Sequence, residues 1–284
     1  MSYVYHYTTE EGFKGIIESQ ELWATSIYCL NDWTEFEYGR DALIESARVL
    51  LKGGDAADVA AQLLSYLYDV HPSLYVCSFS TAGDGDDLSQ WRAYCPKGGY
   101  AIGFPTAKLH QHMERTGMGR WGMMECEYGT VGAGRFVEGL VRIMEEIFKM
   151  AGGAGGFRAQ FPFNDPDKDG LLAQILEVIA KYKHEAFRAE QEWRLVYRLT
   201  HGNRPRFRTA GGALIPYIAF SLKSEDLWRQ AQIVMSPCLP DAAAFRQQTA
   251  RAFLEGELAK HSLPTDCARS IRPSEAPYRT LTPG

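Results

Sequence analysis

Two glutamates separated by one residue, Glu190 and Glu192, and a histidine almost the whole chain away, His6, are the residues whose types and spacing could do chemistry. In extended backbone a Glu-x-Glu pair projects both carboxylates to one side, because strand side chains alternate with a period of two. Such a pair can face a developing positive charge or take a proton from a hydroxyl, and an imidazole can hydrogen-bond the same substrate. The plainer reading of these residues is a solvated strand end, with Arg194 as an ion-pair neighbour, and a histidine satisfied at the edge of the core. The chemical reading makes one demand on the fold: His6 and Glu192 must face a single cleft.

The elements that would position them can be read from hydrophobic periodicity. Residues 3–7 read as a strand, followed by Thr9 as the cap of a helix with Glu10 and Glu11 in its first turn and Phe13, Ile16 and Ile17 on one face. Leu22 to Thr25 is a short extended piece, and helical patterns fill about 34–70 with a break at Gly53-Gly54. Ser73 to Ser80 and Gly99 to Phe104 carry the β-branched and aromatic content of core strands, with Leu88-Ser89-Gln90-Trp91-Arg92 between them. A strand near 123–128, a helix near 135–150 and a helix running from Leu171 through Tyr182 lead to a strand entered through Glu190 and Glu192. The glycine-rich stretch in about 151–170 reads as a flexible loop, a lid or a plain connection. Strands at 213–221 and 230–236, a helix at 241–260 and a closing segment at 274–279 complete an α+β chain with a mixed, mainly antiparallel core, read as a single domain over 1–284.

Composition narrows the function classes. With 284 residues, 45% of them hydrophobic, the chain can bury a sizeable core, and a net charge of −5 gives no global positive field for nucleic acid. Six cysteines with no Cys-x-x-Cys pair argue against a zinc ribbon, a thioredoxin-like site or a disulfide framework. No stretch approaches the ~20 apolar residues of a membrane span, so the expectation is a cytoplasmic protein without membrane contact. Asp165-Pro166-Asp167-Lys168-Asp169-Gly170 resembles the first half of a calcium loop, but Leu176 occupies the position of its last ligand. His110 and His112, two apart in a helical pattern, diverge, so no metal is expected. Dinucleotide-fold, P-loop and nucleophile-elbow glycine motifs do not occur.

Several motifs occur together in order: Tyr5-His6-Tyr7-Thr8, Leu22-Trp23-Ala24-Thr25, Leu30-Asn31-Asp32 with Glu35, Trp91-Arg92-Ala93-Tyr94 before Gly99-Tyr100-Ala101-Ile102-Gly103-Phe104, Glu190-x-Glu192-Trp193-Arg194 and Pro277-Tyr278-Arg279. In this the chain resembles the bacterial family catalogued as domain of unknown function 2971. A strand bearing His-Tyr-Thr, then a helix, then Leu-x-Ala-Thr is similar to the opening of DNA- and protein-modifying ADP-ribosyltransferases. That second resemblance implies an ADP-ribosyltransferase-like core and NAD as substrate, with a macromolecular acceptor, protein or nucleic acid, and a toxin or phage-defence role. The oligomeric state is left open.

By the same resemblance Glu192 would hold a ribose hydroxyl and stabilise an oxocarbenium-like centre, and Glu190 would position or deprotonate the acceptor. His6 would bond a ribose hydroxyl, Ser78 to Ser80 would match the second strand, and Tyr7, Tyr75 or Phe79 would stack on nicotinamide, with Thr8 beside them. Trp91, Arg92 and Arg194 are either contacts to the pyrophosphate or a structural cation–π arrangement. The second strand reads Cys77-Ser78-Phe79-Ser80-Thr81 where a clean Ser-Thr-Ser is the pattern. The alternatives are an RNA 2′-phosphotransferase or a dinucleotide glycohydrolase on the same scaffold, and a nucleotide-sensing or protein-binding module without turnover.

Overall fold

The computed structural model describes residues 2–30, 37, 40, 41, 74–116, 121–129, 138, 179–199 and 204–276. The sequence expectations for 34–70, 135–150 and 151–170, most of the helix beginning at Leu171, and Pro277-Tyr278-Arg279 lie outside these residues. Along the chain come β1 (Tyr3–Thr9), α1 (Glu10–Ser19), β2 (Glu21–Ser26), β3 (Leu74–Ser80), α2 (Leu88–Tyr94), β4 (Gly99–Pro105), α3 (Thr106–Thr116), β5 (Trp121–Glu125) and β6 (Glu127–Tyr128). They are followed by β7 (Tyr182–Lys183), β8 (Glu192–Arg198), β9 (Arg206–Ala210), β10 (Ala213–Ser221), α4 (Glu225–Gln230), β11 (Gln232–Met235), α5 (Pro240–Lys260) and β12 (Arg272–Pro273).

The architecture is α+β. The described strands form a ten-stranded sheet of order β12-β11-β4-β1-β3-β2-β10-β9, with β8 on the other edge of β3 and β5 on β8, and a small β6–β7 pair beside it. Every pairing in the large sheet is antiparallel except β11 with β12, and β6–β7 is parallel. Some boundaries differ from those read in the sequence. The strand expected near 123–128 divides into β5 and β6, the one at 230–236 shortens because α4 runs to Gln230, and Tyr182, which fits the helical spacing of the preceding leucines, lies in β7.

Local chemistry accounts for the elements around β1. Thr9 is extended and its hydroxyl accepts from the Gly12 amide at 3.1 Å, which caps α1 and starts it directly where β1 ends. Phe13 and Ile17 face the core, and Gln20 in a left-handed conformation closes the helix so that β2 begins one residue later. β9 and β10 are joined by Gly211 and Gly212, both at positive φ, the requirement of a tight two-residue hairpin. Much of the core lies between one sheet face and the helices, where Phe13 stacks on Tyr100 at 4.1 Å and Phe104 meets Trp228 edge-on at 5.6 Å.

The sheet is not continuous at β3. β1 and β2 both run antiparallel to it on the same edge: β1 sets Tyr5 opposite Ser80, and β2 sets Thr25 opposite Val76 and Ser26 opposite Tyr75. Extending the first register would bring Thr8 opposite Cys77, and extending the second would bring Ala24 opposite the same residue. One backbone edge can bond one partner. The two strands therefore part, β1 following β4 through seven residue pairs and β2 following β10, and a cleft opens between them along Cys77, Ser78 and Phe79.

On the β1 wing, Gly103 sits beneath the Tyr5 ring, and a Cβ there would come within 2.4 Å of Tyr5 Cε1. The ring cannot swing away, since Tyr5 is buried and its hydroxyl donates to Gln232 Oε1 at 2.7 Å. Gly103→Ala is expected to lower stability by about 1–3 kcal/mol in urea denaturation. Gly15→Ala, where a Cβ meets nothing within 4 Å in the middle of α1, is expected to be neutral or stabilising by up to ~1 kcal/mol.

Candidate functional site

The cleft between the wings is a cavity of about 770 Å³, inside the roughly 300–1,000 Å³ range of small-molecule sites. His6 and Glu192 both line it, together with Tyr7, Thr8, Ser78, Phe79, Ser80 and Glu190. Tyr75, Trp91, Arg92 and Arg194, the other residues singled out in the sequence, are not among its lining residues. Tyr75 packs in the core, Trp91 is buried against Tyr7 at 4.7 Å and donates from Nε1 to Asp86 at 2.8 Å, and Arg92 is exposed on α2.

Glu190 and Glu192 come together by a route that strand periodicity does not supply. Glu190 ends a 3₁₀ turn over Glu185–Glu190, and Gln191 adopts a left-handed conformation with φ 42°, so the backbone between the two carboxylates is not extended. What joins them is Lys183 on β7, whose Nζ donates to Glu190 Oε2 at 2.8 Å and to Glu192 Oε2 at 2.6 Å. Arg194, two residues along β8 on the same face, donates from Nε to Glu192 Oε1 at 2.8 Å and from Nη1 to the Ala180 carbonyl at 2.8 Å. The backbone is tied as firmly: the Ser80 hydroxyl donates to the Glu190 carbonyl at 2.6 Å, and the Glu192 amide donates to the Tyr128 hydroxyl at 2.8 Å.

The result is a compact group of two carboxylates and two cations, three of which are almost fully buried; the Glu190 side chain retains 20% exposure. Burial alone would raise the Glu192 pKa, but the charges and hydrogen bonds of Arg194 and Lys183 outweigh it and hold the group at about 2. Glu192 is thus a fixed, ionised carboxylate at neutral pH, unsuited to act as a general acid. Glu190 is the more accessible of the two.

His6 bridges the opening. Its Nδ1 donates to the Ser78 carbonyl at 3.0 Å, a donor role that leaves Nε2 as the acceptor in the neutral ring. Burial lowers its pKa, against the opposing pull of the Ser78 hydrogen bond. The Cys77 thiol lies 3.6 Å from the same Nδ1, yet burial pushes its pKa up to about 12, so the pair has no thiolate to act as a nucleophile. Phe79 meets the imidazole edge-on at 5.7 Å. On the opposite wing Trp23, Thr25 and Arg208 also line the cavity.

Lys183, Thr25, Trp23 and Arg208 escaped the sequence-based list of site residues. Lys183 carries no local motif and enters the site through the parallel β6–β7 pair, while Arg208 does so through the hairpin that places β9 at the sheet edge.

Residues 90–195 match the family model described as Protein of unknown function (DUF2971). The matched segment runs from Gln90 within α2 to Leu195 within β8 and contains Lys183, Glu190 and Glu192, whereas β1 and β9 lie outside it. No curated protein and no solved structure matches the chain. Among the described residues no helix is long and apolar enough to cross a membrane.

The Glu192 pKa lies below its ordinary value of 4.5, so the group contributes stability that is fully present above about pH 4.5 and is lost as the pH falls toward about 2. Thermal melts of the wild type should therefore fall steeply through that window. In Glu192→Gln, which has no proton to bind there, the acid limb should be shallower; parallel limbs would contradict the assignment.

Proposed function

We propose that the cleft binds a nicotinamide dinucleotide and cleaves its nicotinamide–ribose bond, passing the ADP-ribosyl group to a macromolecular acceptor. The observation that carries this reading is that His6, Ser78, Ser80, Glu190 and Glu192 line one cavity together with the aromatic residues Tyr7, Phe79 and Phe187. Hydrogen-bonding groups for ribose hydroxyls, carboxylates for a cationic centre and flat rings for nicotinamide are the chemical requirements of that substrate.

In the reaction the bonding electron pair leaves with nicotinamide, neutralising its ring charge and leaving an oxocarbenium-like centre at the ribose carbon. Glu192, held ionised and immobile, accepts a hydrogen bond from a ribose hydroxyl and faces that charge. His6, neutral at pH 7, accepts a second ribose hydroxyl at Nε2. Glu190 takes the proton of the attacking acceptor, and Lys183, bonded to both carboxylates, keeps them oriented.

One observation favours a second reading. Glu192 is already answered by two cations, which suits a rigid nucleotide-binding module with no turnover. Incubation with labelled nicotinamide dinucleotide and cell extract separates the two. Transfer predicts free nicotinamide and a labelled macromolecule, with Glu190→Gln reducing both by about 100-fold while its melting temperature stays near that of the wild type. Nicotinamide without label would make the protein a glycohydrolase. Absence of nicotinamide, with the dinucleotide raising the melting temperature, would favour the binding module.

A further inference from the structure

The wing opposite the carboxylates carries a cation with different surroundings. Arg208 lines the cavity from β9, and its Nη2 donates to the Thr25 hydroxyl at 3.3 Å. Its Nε is buried and has no acceptor among the described residues. Arg206, on the same strand face, is bonded through Nη1 to both carboxylate oxygens of Glu21, at 3.1 and 2.9 Å, which answers the charge of an acid that lines the cavity. Lys183 is likewise engaged by Glu190 and Glu192. Arg208 thus supplies a positive charge that no carboxylate among the described residues answers, and an anion bound in the cavity would answer it.

Beside it stands an aromatic platform. Trp23 lines the same cavity, is 40% exposed and is backed by Tyr217, with ring centroids 4.4 Å apart and planes at 27°. Tyr217 lies opposite Thr25 in the β2–β10 register, so the ring pair, the hydroxyl and the guanidinium belong to one patch of the sheet. An isolated anion would need only Arg208. A ligand carrying both a phosphate and a flat ring uses the whole patch, since the Arg208 guanidinium offers a positive charge to the phosphate and an indole face stacks on a base without regard to its identity.

We propose that Arg208, Thr25 and Trp23 form the phosphate-and-base subsite of the cavity, binding a nucleoside diphosphate group with its phosphates on Arg208 and its base against Trp23. This deepens the reading of the preceding subsection and rests on it for the identity of the complete dinucleotide, but the diphosphate half binds whether or not a bond is later broken.

The test is equilibrium titration of the full chain with ADP and with adenosine, followed by tryptophan fluorescence and melting temperature. ADP should bind at least about tenfold more tightly than adenosine and weaken as salt is raised. Arg208→Gln should abolish the preference, Arg208→Lys should keep part of it because the charge remains without the fork, and Trp23→Ala should weaken both ligands about tenfold. Equal affinity for ADP and adenosine, ADP binding unchanged in both Arg208 variants, or no ADP binding would overturn the subsite. Arg208-dependent ADP binding without nicotinamide release would leave the subsite standing and remove the reaction, whereas nicotinamide release unaffected by Arg208→Gln would do the reverse.

Discussion

The candidate site depends on one ammonium group. Lys183 Nζ touches Glu190 and Glu192 at once, and without it two carboxylates from a turn and a strand would repel each other in a largely buried setting. Arg194 supports the same group from below, with one edge of its guanidinium on Glu192 and another donor on the Ala180 carbonyl. Removing one of the cluster's almost fully buried members, Lys183, Glu192 or Arg194, typically costs about 3–5 kcal/mol, because the remaining charges lose their compensation, whereas Glu190 at 20% exposure lets water screen its loss. The cluster is therefore rigid, and rigidity is what a preorganised electrostatic site requires. It also ties the short β6–β7 pair to the mouth of β8.

A backbone constraint of equal weight makes room for that cluster. β1 and β2 compete for the same edge of β3, and because hydrogen bonding there is exclusive, the sheet divides into two wings. The division leaves Ser78 with its carbonyl facing His6 rather than a ladder partner, and the imidazole takes the place of a strand amide. A sheet that continued unbroken would bury these groups. The cavity is thus a consequence of strand registers, and its walls come from segments far apart in sequence: β1 near the start, β3 and α2, then β7, β8 and β9 in the second half.

Much of the framework was legible because it rests on local rules. Thr9 followed by Glu10, Glu11 and an apolar helical face announces α1, and the alternating or continuous apolar runs at Leu74–Ser80, Gly99–Pro105 and Ala213–Ser221 announce strands. The pairing of Glu190 with Glu192 was visible as a motif, but its geometry was not. Gln191 adopts a left-handed conformation that nothing in its residue type demands, and the lysine that unites the carboxylates is seven residues before the first of them, on a strand of two residues. Lys183, Thr25 and Arg208 belong to the site through tertiary pairing, and long-range pairing leaves no periodic signature in a single sequence. Trp91 and Arg194 show the converse: both stood out by type, and the structure gives Trp91 to the packing of Tyr7 and Arg194 to the support of Glu192.

The proposed activity requires a nucleotide to enter the space between the two wings. Hydrogen–deuterium exchange of the full chain, with and without ADP-ribose, measures this directly, since amides that line or close over a bound ligand become protected. Protection should concentrate in β1 around His6, along β3 from Cys77 to Ser80, in β2 around Trp23 to Thr25 and at the turn from Glu185 to Glu192. Unchanged exchange in all four segments under saturating ADP-ribose, or protection confined to α4 and α5, would contradict it.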